Sequence, residues 1–186
     1  MKYFKILLLF TAAAVVASCS KNPVANVSHP LSNEFLTTTI LNLHNTSNPN
    51  DKPTISYYLN PNNPNNPPVL TPDTLQLSKN STYTCDILIL DQTKNPPDTV
   101  SGVIKQRENI HLFVFYPSTG LGLKDSITDH DTNIPPLPFG MQSIITTTSA
   151  SKGTLEVVLR HQPNVKNGSP TPGSTDMDAT YPIKIK

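Results

Sequence analysis

Proline and asparagine punctuate this chain so often that no long helix fits between them. Of its 186 residues, 19 are proline, about twice the usual share. A proline inside a helix or a central strand removes a hydrogen-bond donor, and asparagine favours turns. NPNNPNNPP at 60–68 therefore reads as a loop, and DQTKNPPD at 91–98 as another turn. Between such breaks lie short runs rich in Thr, Ile, Leu, Val and Phe, residues that suit a pleated, half-buried surface.

Those runs are EFLTTTILNLHN (34–45), TISYYL (54–59), TLQLS (74–78), TYTCDILIL (82–90), IHLFVFY (110–116), MQSIITTT (141–148), GTLEVVLRHQ (153–162) and the closing ATYPIKIK. TLQLS and TYTCDILIL read as a hairpin around Lys79-Asn80-Ser81, and MQSIITTT with GTLEVVLRHQ as a second through residues 149–152. IHLFVFY is apolar on both faces, which predicts a central strand. TVSGVIKQRE places Val100, Val103, Ile104 and Arg107 on one side at helical spacing, which predicts a short helix after Asp98 or Thr99 as cap. Short strands separated by turn signals predict an all-β, immunoglobulin-like antiparallel β-sandwich of seven to eight short strands with at most one short helix. A lipocalin-like barrel is the alternative.

The chain opens MKYFKILLLFTAAAVVASCSKN. Lys2 and Lys5 precede an apolar stretch from Ile6 to Ala17, shorter than the roughly 20 residues a membrane span needs. Small residues follow, the pattern of an export signal. Val16-Ala17-Ser18-Cys19 resembles the lipobox of bacterial lipoproteins, which implies cleavage before Cys19 and acylation, palmitate included, of that residue. One acyl chain holds a protein only marginally, whereas several make a lasting anchor. The expected organisation is a signal peptide at 1–18, a flexible tether at 19–33 and one β-sandwich domain at 34–186. Leu, Ile, Val and Phe make up roughly a quarter of the chain, above the range of disordered sequences.

Lipidation uses one of only two cysteines. Cys85 lies on one strand face with Tyr83, Ile87 and Ile89, so it reads as a small buried hydrophobe. The net charge is +1 and would lose Lys2 and Lys5 with the leader. No basic stripe is present, which argues against nucleic acid as a partner. GxSxG elbows, glycine-rich phosphate loops, HExxH and paired-cysteine signatures are also missing from the sequence, so catalysis is not expected.

Two histidines and one loop are candidate sites. Strand alternation puts His111 on the face of Phe113 and Phe115, and His161 on the face of Leu155, Val157 and Leu159. His111 begins its strand and His161 ends its own. If the two strands lie antiparallel and adjacent, the imidazoles meet at one end of the sandwich, where they could hold zinc or copper. The plainer reading is that each caps a core. Asp129-His130-Asp131-Thr132-Asn133 spaces oxygen donors like the first half of a calcium loop, with Asp125 as a further oxygen. Ile134 stands where the turn glycine belongs, and Gly140 where the closing glutamate belongs. His130 could alternatively join His111 and His161 as a third metal ligand.

The order NEFLTTTILNL, LSKNSTYTCDILIL, IHLFVFY, GTLEVVLRHQPNVKNG and a closing strand resembles a group of small β-sandwich envelope lipoproteins of Gram-negative bacteria found beside TonB-dependent outer-membrane receptors. The resemblance implies a cell-envelope location, an outer-membrane lipid anchor, and a TonB-dependent receptor as partner. It leaves open whether the domain faces the periplasm or the cell surface. The expected function is a binding or accessory module for a metal or small ligand. A structural or interaction protein without a ligand is the alternative.

Overall fold

The computed structural model describes residues 36–50, 54–59 and 73–186. The leader, Cys19 and the tether lie outside these residues, as does the 60–68 loop. The described residues form ten strands: β1 Thr38–Asn45, β2 Thr54–Leu59, β3 Leu75–Leu77, β4 Thr82–Asp91, β5 Asp98–Thr99, β6 His111–Pro117, β7 Leu123–Ile127, β8 Gln142–Thr147, β9 Ser151–His161 and β10 Ser174–Ile185. One short helix, α1 Ser101–Gln106, and a 3-10 turn at Glu108–Ile110 complete them.

The strands build two sheets. One runs β2-β1-β4-β8-β7, with β5 also paired to β4, and the other runs β3-β10-β9-β6. All pairings are antiparallel except β3 with β10. Two separate sheets over one core make an all-β, sandwich-like architecture, and the strands do not close into the barrel that stood as the alternative.

Alternation explains the core. Leu41, Leu43, Tyr83, Cys85, Ile87, Ile89 and Ile145 face inward from the first sheet, and Phe113, Leu155, Val157, Leu159, Ala179, Tyr181 and Ile183 from the second. Tyr181 is wholly buried, and its hydroxyl donates to the Thr39 carbonyl across the core at 3.1 Å. Burying a tyrosine costs little once its hydroxyl has an acceptor.

Both expected hairpins are instead crossings between the sheets. β3 belongs to one sheet and β4 to the other, and the same holds for β8 and β9. At the first crossing Asn80 takes a φ of +49°, a conformation asparagine tolerates better than most residues. Thr147 Oγ1 donates to the Ser78 carbonyl and accepts from the Ser81 N–H, tying the corner.

The short α1 helix lies within the expected stretch, but the expected shared face does not form: Ile104 is buried, Val100 is buried at the cap position, Arg107 follows the last turn, and Val103 is 43% exposed. It has no side-chain cap; Val100 occupies the cap position. IHLFVFY is an edge strand, not a central one. Its first half is buried because a strap from the proline-bearing loop closes over it. The Phe113 N–H donates to the Phe139 carbonyl at 2.7 Å, and the two rings meet edge to face at 5.8 Å. Gly140 in this strap has a φ of +84°, and a Cβ there would lie 2.6 Å from the Phe113 carbonyl oxygen. Only glycine allows so close an approach.

Candidate functional site

The antiparallel pairing of β6 and β9 sets His111 directly opposite His161. Both rings are on the core side, as alternation requires, and they stack with centroids 5.0 Å apart and planes 26° from parallel. His111 is wholly buried, while 23% of the His161 side chain remains exposed.

A third residue joins them through a β-bulge. The register of β10 against β9 shifts between Thr175 and Met177, and the extra residue is Asp176. In a regular strand Asp176 would point opposite to Met177; here both are buried. A bulge re-aims a side chain in this way. Asp176 Oδ2 lies 3.4 Å from His111 Nε2, and Oδ1 lies 3.8 Å from His161 Nδ1. Gly173, with a φ of +82°, leads the chain into β10, and a Cβ there would collide with the His161 carbonyl. Arg160 holds the same approach by donating to the carbonyls of Thr171, Pro172 and Gly173.

Hydrogen-bond roles follow from this geometry. His111 Nδ1 lies 3.1 Å from the Arg107 carbonyl, which only accepts, so Nδ1 carries a proton. Nε2 then faces a carboxylate oxygen, a contact that attracts only when a proton sits between them. His111 Nε2, His161 Nε2 and Asp176 Oδ2 are all buried without a well-formed hydrogen bond. Burial lowers the pKa of His161 from its ordinary 6.5, and the neighbouring His111 and Arg107 add to the lowering, against the pull of Asp176.

Among the described residues, no three His, Cys, Asp or Glu side chains converge to hold a metal ion. Stacking accounts for this at the histidine pair. Nitrogen lone pairs lie in the ring planes, so nearly parallel rings send them side by side, and the Asp176 carboxylate already fills the space that one nitrogen of each ring faces. His130 does not complete a set with them: it is exposed, and its backbone bridges to Pro138.

The two aspartates of the loop have other partners. Asp129 accepts from the N–H groups of Gly140 and Gln142. Asp131 accepts from the N–H groups of Asn133 and Leu137, from the Asn133 side chain, and from Lys166 Nζ at 2.7 Å. Burial alone would raise the Asp131 carboxyl, but Lys166 and the two backbone donors outweigh it and hold its pKa below the ordinary range. The Asp131–Lys166 pair is almost completely buried, and Lys166 also donates to the Glu108 carbonyl at 2.8 Å. These carboxylates fold the loop. Asp125 is not in it: the residue belongs to β7, a strand the sequence hid among polar residues.

The folded loop walls a cleft of about 510 Å³ lined by Asn109, Ile110, Asn133, Ile134, Pro135, Leu137, Asn164 and Lys166. Asn109 and Ile110 immediately precede His111, and Asn164 and Lys166 follow closely on His161. The cleft therefore opens at the end of the sandwich where the histidines meet. Ile134 is 99% exposed on its rim, and Val165 nearby is also exposed.

Comparison with known proteins adds nothing to this site. No family model, curated protein or solved structure matches the chain. Its chemistry has to be read from its own side chains. Sequence reasoning found the histidine pair and the loop; it missed Asp176, Lys166, Asn109 and Asn164. The bulge that turns Asp176 inward leaves no local signature, and Lys166 sits in a polar stretch, PNVKNGSP, that looks solvated. Cys85 is a buried free thiol, and burial, then the nearby Asp125, push its pKa up to about 12. A thiol so high is no nucleophile near neutral pH.

Proposed function

We propose that this protein is a lipid-anchored, non-catalytic binding module of the outer membrane of a Gram-negative bacterium, with an immunoglobulin-like sandwich held at the bilayer by acyl chains on Cys19. The observation that carries the binding role is the cleft at the histidine end. Loops from β6, β9 and the 128–140 segment converge there, and its volume falls within the roughly 300–1,000 Å³ of ordinary ligand sites. The internal hydrogen bonds of Asp129, Asp131 and Asn109 order its walls before any ligand arrives, which lowers the cost of binding. A TonB-dependent receptor is the partner the sequence resemblance suggests, and the exposed Ile134 and Val165 suit contact with a macromolecule better than with solvent.

Thermal melting of the detergent-solubilised full chain tests the reading. Zinc, copper, calcium, haem and a panel of small neutral envelope components, short uncharged peptides among them, are titrated in turn. A melting shift that disappears in Ile134→Asp supports the cleft as the seat. No shift with any of them, or an unchanged shift in that variant, removes it.

A further inference from the structure

We propose that the cleft takes an uncharged, extended peptide segment, its main-chain amides against Asn109, Asn133 and Asn164 and an aliphatic side chain against Ile134, Pro135 and Leu137. The inference rests on the binding-module reading and adds the chemical class of the ligand.

The cleft is electrically neutral. Among the described residues Lys166 is its one cation, and that charge is already matched by Asp131 at 2.7 Å, with a further ammonium proton donated to the Glu108 carbonyl. Among the described residues, no carboxylate lines the cleft. An anionic ligand would find no free cation, and a cationic one no free anion. A neutral ligand meets no such penalty.

The remaining polar groups are three amides, and hydrogen bonds fix the orientation of those of Asn109 and Asn133. Asn109 Oδ1 accepts from the Thr132 N–H at 2.9 Å. A backbone N–H can only donate, so Oδ1 is rightly placed and Asn109 Nδ2 is left to donate into the cleft. Asn133 Nδ2 donates to Asp131 Oδ2 at 2.8 Å and towards the Asn109 carbonyl at 3.3 Å. Both of those groups only accept, so Asn133 Oδ1 is left to accept. Asn164, held at a φ of +61°, offers both ends of its amide. The cleft thus presents donors and acceptors in the mixture a peptide main chain complements.

Between these amides lie Ile110, Ile134, Pro135 and Leu137. They carry neither an aromatic platform nor the dense set of polar groups that a sugar ring, hydroxylated all round, would require. Aliphatic walls with spaced amides match a polypeptide instead. Ile134, 99% exposed, gains the most from being covered.

The test uses the full chain in detergent, with calorimetric titration against a pooled library of N-acetylated, C-amidated heptapeptides free of Asp, Glu, Lys, Arg and His. Parallel arms use the same library with acidic or basic residues added, and neutral acetamido oligosaccharides. The expected result is binding of the neutral library, weakened at least tenfold by Ile134→Asp and by Asn164→Asp. Leu88→Asn, on the outer face of the other sheet, should leave it unchanged, with melting curves confirming that each variant is folded. Preference for a charged library or the oligosaccharides, lost in the same variants, overturns the peptide assignment while leaving the cleft as a site. No binding in any arm, or binding indifferent to both cleft substitutions, overturns the assignment and the binding-module reading together.

Discussion

Replacing Asp125 with asparagine should stabilise this protein near neutral pH, and the structure gives the size and the pH dependence. Asp125 lies on the edge strand β7, opposite Ile145, with its side chain turned towards the interior near Cys85. Burial raises its pKa from 3.8 to about 6; Ser143 and the Ser126 backbone relieve this only in part. Ser143 Oγ stands nearby without forming a well-made bond, and it and Asp125 Oδ1 are both buried unpartnered. Because the folded value exceeds the unfolded one, the group's favourable contribution is complete below about pH 3.8. It is lost as pH rises through about 6. A shift of this size corresponds to about 3 kcal/mol. Solvent reaches part of the carboxyl, so about 1–2 kcal/mol is the expected cost of its charge at pH 7.5. Asp125→Asn keeps the shape and removes the charge. Urea denaturation should show the variant about 1–2 kcal/mol more stable at pH 7.5, with the advantage shrinking on acidification to less than about half by roughly pH 4. An advantage that does not shrink on acidification, or a variant less stable at pH 7.5, would refute the burial argument.

Three further outcomes follow from the site. Lys166→Met leaves the Asp131 carboxylate buried without its cation and should cost about 3–5 kcal/mol, whereas the double change Lys166→Met, Asp131→Leu should cost less, because no lone charge remains; chemical denaturation compares the two. Gly173→Ala forces a side chain into the left-handed region and against the His161 carbonyl, so it should cost at least about 2 kcal/mol and blur the NMR signals of both imidazoles. His161 has a folded pKa below its unfolded 6.5, so its contribution is complete above pH 6.5 and is lost as pH falls through the lowered value. Measured in the Asp125→Asn background, stability should fall on acidification from pH 7.5 to 5, and His161→Gln should flatten that fall; an equal slope in both proteins contradicts the burial of His161.

Strand faces were readable because alternation is local. Tyr83, Cys85, Ile87 and Ile89 turn inward together, and His111 and His161 share the faces of Phe113 and Leu159. Pairing partners were not readable. The turns after β3 and β8 look like hairpin turns in sequence, and only the competition between two sheets sends their flanking strands apart. IHLFVFY reads as central because both faces are apolar, yet it lies at an edge covered by Phe139, a residue more than twenty positions away that no periodicity connects to it. β7 escaped notice since Lys124, Asp125 and Ser126 break the apolar pattern. The histidine pair was legible as a convergence; the carboxylate between them was not, because a bulge shifts the parity that sequence reading assumes. The cleft was the least visible feature. It is made by asparagines and a lysine from three separate segments, each of which reads alone as ordinary surface.

The intact mass of the protein purified from native membranes bears most directly on the proposed anchor. A chain beginning at Cys19, heavier than its residues by several acyl groups, is the predicted result. A chain that still begins at Met1, or a residue 19 without acyl chains, contradicts it.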